Sequence, residues 1–102
     1  MSDFLLPTKC KTMVDVRLGV DATDRELLAL LERRFDYMRA AARIKQNRSE
    51  VRDEIRKSEV IGNAVREASR RGLPADALGA IWNALVEASI AFELEEWDRV
   101  QE

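Results

Sequence analysis

Residues 33–45 read RRFDYMRAAARIK, and their periodicity decides the fold. The stretch has no Gly or Pro and is rich in strong helix formers, so it specifies unbroken helix. Stepping back from Lys45 by threes and fours gives Ala41, Met38, Arg34, Leu31 and Leu27, which share a stripe about 80° wide at about 100° per residue. Two cations, Arg34 and Lys45, therefore stand in a row that should be apolar. Charge in an apolar seam is costly unless it meets counter-charge or a wet cavity.

Outward from this stretch the same pattern reaches both ways. From about Met13 to Gln46 the apolar repeat runs through Val16, Val20, Leu27, Leu31, Met38 and Ala41, with Gly19 as a weak point costing about 1 kcal/mol against Ala. Some 34 residues at 1.5 Å each make a rod of about 50 Å. The polar run QNRSE at 46–50 breaks the pattern, and Ser49 or Asp53 caps a second helix running to about Arg71. Gly72 suits the position just past that helix, and Leu73-Pro74 punctuates the chain. A third helix starts between Pro74 and Asp76 and carries Leu78, Trp82, Val86, Ser89, Glu93 and Trp97 along one face. No period-two alternation competes with helix anywhere.

The expected fold is therefore all-α: an irregular lead-in over residues 1–12, then one three-helix domain over 13–102 with a long first helix. Second and third helices of about 20 and 26 residues cannot cover both sides of a ~50 Å rod. A second copy is the simplest cover, which gives an intertwined six-helix homodimer.

Composition narrows the function. The 102 residues are 35% charged and 46% hydrophobic, with a formal net charge of −2 and a pI near 5.3. There is no basic field to hold a polyanion, so nucleic acid is not the expected partner. No apolar run approaches the roughly 18 residues of a membrane span, and the apolar stretch in MSDFLLPTKCK is too short for a signal peptide; no membrane partner and a cytoplasmic location are expected. Cys10 is the single cysteine and histidine is missing altogether. A zinc site or a Ser-His or Cys-His nucleophile is thereby excluded, and neither metal nor cofactor is expected.

The polar interruptions of the seams line up. Arg34 and Lys45 lie in the first helix, Ser89 and Glu93 in the third, and Arg56 heads a second-helix row through Val60 and Ala64. Taken singly, Glu93 neutralises Lys45 or Arg34, or the long side chains snorkel to solvent. Taken together, one carboxylate faces three cations, and the surplus suits a small anion enclosed between helices.

The order and spacing of these residues resemble the all-α chorismate mutases and, within them, the isochorismate-pyruvate lyases. Four blocks carry the likeness: DVRLGVDATDRELLALLERR (15–34), DYMRAAARIK (36–45), VRDEIR (51–56) and VEASIAFELEEW (86–97). The lead-in CKTMVDVR (10–17) and the closing IAFELEEW (90–97) look more like the lyase branch.

The resemblance implies that Arg34 and Arg56 bind the substrate's negative groups, that Arg17 of a second protomer grips a carboxylate, and that Lys45 donates to the ether oxygen whose bond breaks. Arg17 and Arg34 are about 25 Å apart along one helix, so only a crossing partner helix brings the two onto one small ligand. Asp53 and Ser89 would line the ring end, with Ala41, Val60, Val86 and Ile90 as apolar wall. Asp53 is equally suited to capping and Ser89 to packing; Arg17 and Arg56 also suit solvated helix faces.

Two departures from the family stand out. Many members have Gln where this chain has Glu93, and a carboxyl group donates to an ether oxygen only when protonated. Several mutases have a Glu, which holds the ring hydroxyl, where this chain has Lys57.

The implied reaction is the pericyclic conversion of chorismate to prephenate, which needs positioning and charge stabilisation but no nucleophile. The alternatives are an isochorismate-pyruvate lyase, a 4-amino-4-deoxychorismate mutase and, outside catalysis, a dimeric helical interaction module.

Overall fold

The computed structural model describes residues 5–101, and among them the secondary structure is entirely helical. Helix α1 spans Met13–Ile44, α2 Glu54–Arg70 and α3 Ala75–Val100, with short 3-10 turns at Pro7–Lys9 and Arg48–Glu50. The chain divides into two compact units, residues 1–36 and 37–102, so α1 begins in the first and ends in the second. Of the expected lead-in, residues 1–4 lie outside the described residues.

In the first unit the start of α1 is fixed by a reciprocal cap. Thr12 Oγ1 accepts from the Asp15 amide at 3.1 Å, and Asp15 Oδ2 accepts from the amides of Lys11 and Thr12 at 3.0 and 3.2 Å, which satisfies donors that a helix start leaves free. These bonds, the Lys11 amide first, hold the Asp15 carboxyl below its usual range. Gly19 does not break the helix. Ala22 is buried, but the large apolar side chains Val16, Leu18, Val20, Leu27, Leu28 and Leu30 are exposed. The first unit thus buries little of its own apolar stripe.

The second unit has a packed core. Val51, Val86 and Ile90 are its buried centre, with Val60, Ile61, Leu94 and Trp97 against it, and Ala42 is completely buried near the end of α1. Helix α2 starts at Asp53, whose side chain accepts the Arg56 amide at 3.0 Å. Of the two expected caps Asp53 is the one used, because Ser49 falls inside the 3-10 turn. The helix ends with Gly72 at φ 72°: the Leu73 amide reaches back to the Ala68 carbonyl at 2.8 Å and the Gly72 amide to Ser69 at 3.1 Å, a paired closure that needs the left-handed residue at position 72. The turn places α3 against α2 so closely that a methyl group on Gly79 would sit 3.0 Å from Val65.

By length and composition α3, with a window of mean hydropathy 1.3, is apolar enough to cross a membrane. The expectation that no stretch comes near that length is corrected here; within the helix Val86 and Ile90 fill the second unit's core, whereas Ile81 is exposed.

Gly72→Ala forces a Cβ into the left-handed region and should lower stability by about 1–2 kcal/mol, read as a fall in denaturant midpoint at unchanged slope. Acid should weaken the fold as well. Glu87 is held down to about 2 and Glu67, Glu96 and Asp98 below their usual ranges by their arginine partners, so between about pH 4.5 and 2 the unfolded chain binds more protons than the folded one. Their contribution is present above the ordinary carboxyl range and lost as the pH falls through that window, which thermal melts at stepped pH will follow.

Candidate active site

Lys45 stands just past the last residue of α1, its amide still bonded to the Ala41 carbonyl at 2.9 Å. Two residues of α3 hold it. Glu93 Oε2 accepts from Lys45 Nζ at 2.7 Å, and Trp97 Nε1 donates to the Lys45 carbonyl at 3.1 Å. Glu93 and Trp97 are four apart, one turn of helix, so a single face of α3 grips both the charged end and the backbone of Lys45. Glu93 is 4% exposed, whereas the Lys45 side chain keeps 29% of its surface open. The pair is a buried anion capped by a cation that still reaches solvent.

The chain beyond Lys45 is tied down by charge. Arg48 binds Asp98 through Nε and Nη2 at 2.9 and 3.3 Å, and its guanidinium lowers the Asp98 carboxyl. Glu50 Oε2 accepts the amides of Gln46 and Asn47 at 2.9 and 2.7 Å. A cleft of about 620 Å³, open to solvent, runs along this segment and is lined by Lys45, Ser49, Glu50, Arg52, Asp53, Glu54 and Ile55. Lys45 thus has Glu93 on its buried side and belongs to the cleft wall on the other.

Each of the site residues expected from sequence can be placed. Lys45 and Glu93 come into contact, and Ser89 lies buried one turn before Glu93, its hydroxyl donating to the Leu85 carbonyl at 2.7 Å. Val86 and Ile90 are core residues with Val60 against them, and Ala41 is half-buried. Asp53 lines the cleft while serving as the α2 cap. Arg56 is exposed and pairs with Glu59 on its own helix at 2.8 Å, so the count of three cations against one carboxylate overstates the surplus charge. Arg34, half-buried, and Arg17, exposed, belong to the first unit.

Sequence reasoning placed Trp97 on the Glu93 face but missed its bond to Lys45. It missed outright the network around Glu87, whose carboxylate takes Arg52 Nη2 and Nη1 at 2.8 and 3.0 Å and Lys57 Nζ at 2.8 Å. The available signal for Trp97 was its four-residue spacing from Glu93. For Glu87 no local spacing existed, because Arg52 lies 35 residues away. Among the described residues no three His, Cys, Asp or Glu side chains gather as a metal site would require.

An all-helical chain with a lysine held against a buried carboxylate at the edge of an open cleft can bind an anion and meet negative charge as it develops. That chemistry agrees with kinship. The model of the family "Chorismate mutase type II" matches residues 16–94, and the chain belongs to that family. It is also 26% identical over 91 residues to an isochorismate pyruvate lyase of Pseudomonas aeruginosa, an alignment covering 89% of this chain and 90% of that protein.

Trp97→Phe keeps the ring packing and deletes the donor to the Lys45 carbonyl. A loss of about 1 kcal/mol is expected, measured by chemical denaturation. An unchanged midpoint would mean that water replaces the indole without cost.

Proposed function

We propose that the protein is a chorismate mutase, converting chorismate to prephenate by a pericyclic rearrangement. The observation that carries this reading is the Lys45–Glu93 pair, 2.7 Å apart at the cleft edge, in a chain whose residues 16–94 match the chorismate mutase type II family. In the reaction the ether C–O bond breaks as a C–C bond forms between the enolpyruvyl arm and the ring. Atoms and electrons balance within the one molecule, with no proton, nucleophile or redox partner. The protein's task is to fold the arm over the ring and to stabilise charge gathering on the ether oxygen.

In this reading Lys45 Nζ turns from Glu93 to that oxygen, and Glu93 in its protonated form donates a second hydrogen bond to it. Arg34 and Arg56 hold the carboxylates by forked, charge-assisted bonds; for Arg56 this means releasing Glu59. Asp53 and Ser89 lie toward the ring, with Ala41, Val60, Val86 and Ile90 behind them. A second copy of the chain supplies Arg17. The exposed Val16, Val20, Leu27 and Leu28 of α1 support that homodimer, because a helix with that apolar stripe gains by burying it against another helix. Sedimentation should find a dimer at micromolar concentration; a monomer there would remove Arg17 from the site.

The relative from Pseudomonas aeruginosa favours a second reading. Isochorismate-pyruvate lyase chemistry breaks the same kind of C–O bond but moves a ring hydrogen to the departing enolpyruvyl group, leaving salicylate and pyruvate. Incubation with chorismate and, separately, with isochorismate decides between them: prephenate from the first supports the mutase, and salicylate fluorescence from the second supports the lyase. Neither product would overturn both.

Lys45→Ala should lower kcat by at least about 100-fold. It also strands the buried Glu93 carboxylate, at about 3–5 kcal/mol. Lys45→Met combined with Glu93→Gln should therefore recover much of the stability while staying inactive, which separates a catalytic loss from an unfolding one. Glu93→Gln alone supplies an amide N–H donor to the ether oxygen, so this variant should stay active; loss of turnover in a folded Glu93→Gln variant would refute the donor role of this position.

A further inference from the structure

We propose that Glu87 is a positioning residue, whose carboxylate ties the first turn of α2, and with it Asp53 and Arg56, to α3 at the edge of the Lys45 cleft. The proposal rests on the reading that this cleft receives the substrate.

Apolar packing fixes the chain at Val51, which is buried, and again from Val60 onward. Between them, residues 52–59 bury no apolar side chain: Ile55 is 80% exposed, and only Lys57 is partly covered. Yet this stretch carries Asp53 and Arg56. Glu87 bridges the gap from α3. Arg52, before Asp53, meets it as a fork at 2.8 and 3.0 Å, and Lys57, after Arg56, meets it at 2.8 Å. One carboxylate therefore grips the chain on both sides of the two candidate substrate contacts. Isolated surface pairs contribute little, but three charge-assisted bonds converging on one group, two of them bidentate, restrict geometry more than a single contact does. Arg52 also reaches Glu54 at 2.9 Å, which steadies the guanidinium from the α2 side.

The test uses Glu87→Gln, which keeps size and loses charge, and Arg52→Lys, which keeps charge and loses the fork. Hydrogen exchange of the Arg56 and Lys57 amides should rise about tenfold in Glu87→Gln and less in Arg52→Lys, while amides near Ser89 and Glu93 in α3 keep their protection. For whichever substrate the parent turns over, KM should rise about fivefold in Glu87→Gln with kcat within about twofold. Unchanged exchange at Arg56 and Lys57 overturns the proposal. Raised exchange with unmoved KM overturns it too, leaving Glu87 a structural tie alone. Should Glu87→Gln fail to fold, Arg52→Lys carries both measurements by the same criteria. If the parent turns over neither chorismate nor isochorismate, it is the functional reading that fails, and with it the substrate-positioning role, while the exchange data still decide whether the tie exists.

Discussion

Beside the apolar core of the second unit lies the contact on which the candidate site depends, the ammonium of Lys45 against the buried carboxylate of Glu93. Glu93 sits on α3 among Ile90, Leu94 and Trp97, where an unpaired carboxylate would cost far more than the neighbouring side chains gain. The ammonium makes that position tolerable, and the partial exposure of Lys45 lowers the cost of burying the cation. A fully enclosed pair would gain Coulomb energy but lose more to desolvation. With one face to solvent, the lysine remains accessible to a ligand.

Helix α3 supplies the fastenings that surround this contact. Glu87 holds Arg52 and Lys57, Trp97 holds the Lys45 backbone, and Asp98 holds Arg48. Each binds a segment that has little core of its own: from Gln46 to Glu59 only Val51 is buried. The irregular chain around the cleft is thus shaped by directional polar bonds from one rigid helix, while apolar packing supplies the platform. That division suits a site, because hydrogen bonds set geometry more narrowly than apolar contact does.

Helix number and order, and most boundaries, were legible in the sequence because they rest on local chemistry. The 3.6-residue period, the carboxylate of Asp53 and the φ 72° of Gly72 each act within a few residues. The placement of Lys45 opposite Glu93 was half-legible: both interrupt apolar seams, and opposite charges in seams have reason to meet. Two things were not legible. Arg56 was counted as surplus charge because its Glu59 partner, three residues on, is a common surface spacing that carries no signal of its own. Glu87 was missed because its partners are 35 and 30 residues distant, and only the α2–α3 turn brings them together.

The identity of residue 93 connects stability to chemistry. A glutamine there would offer its amide N–H to an ether oxygen at any pH, but could hold Lys45 only through a neutral carbonyl. A glutamate holds the ammonium more firmly in the resting chain, yet must carry a proton before it can donate. At rest, then, the chain carries at position 93 the residue that anchors Lys45 more firmly, and the 2.7 Å contact is the result.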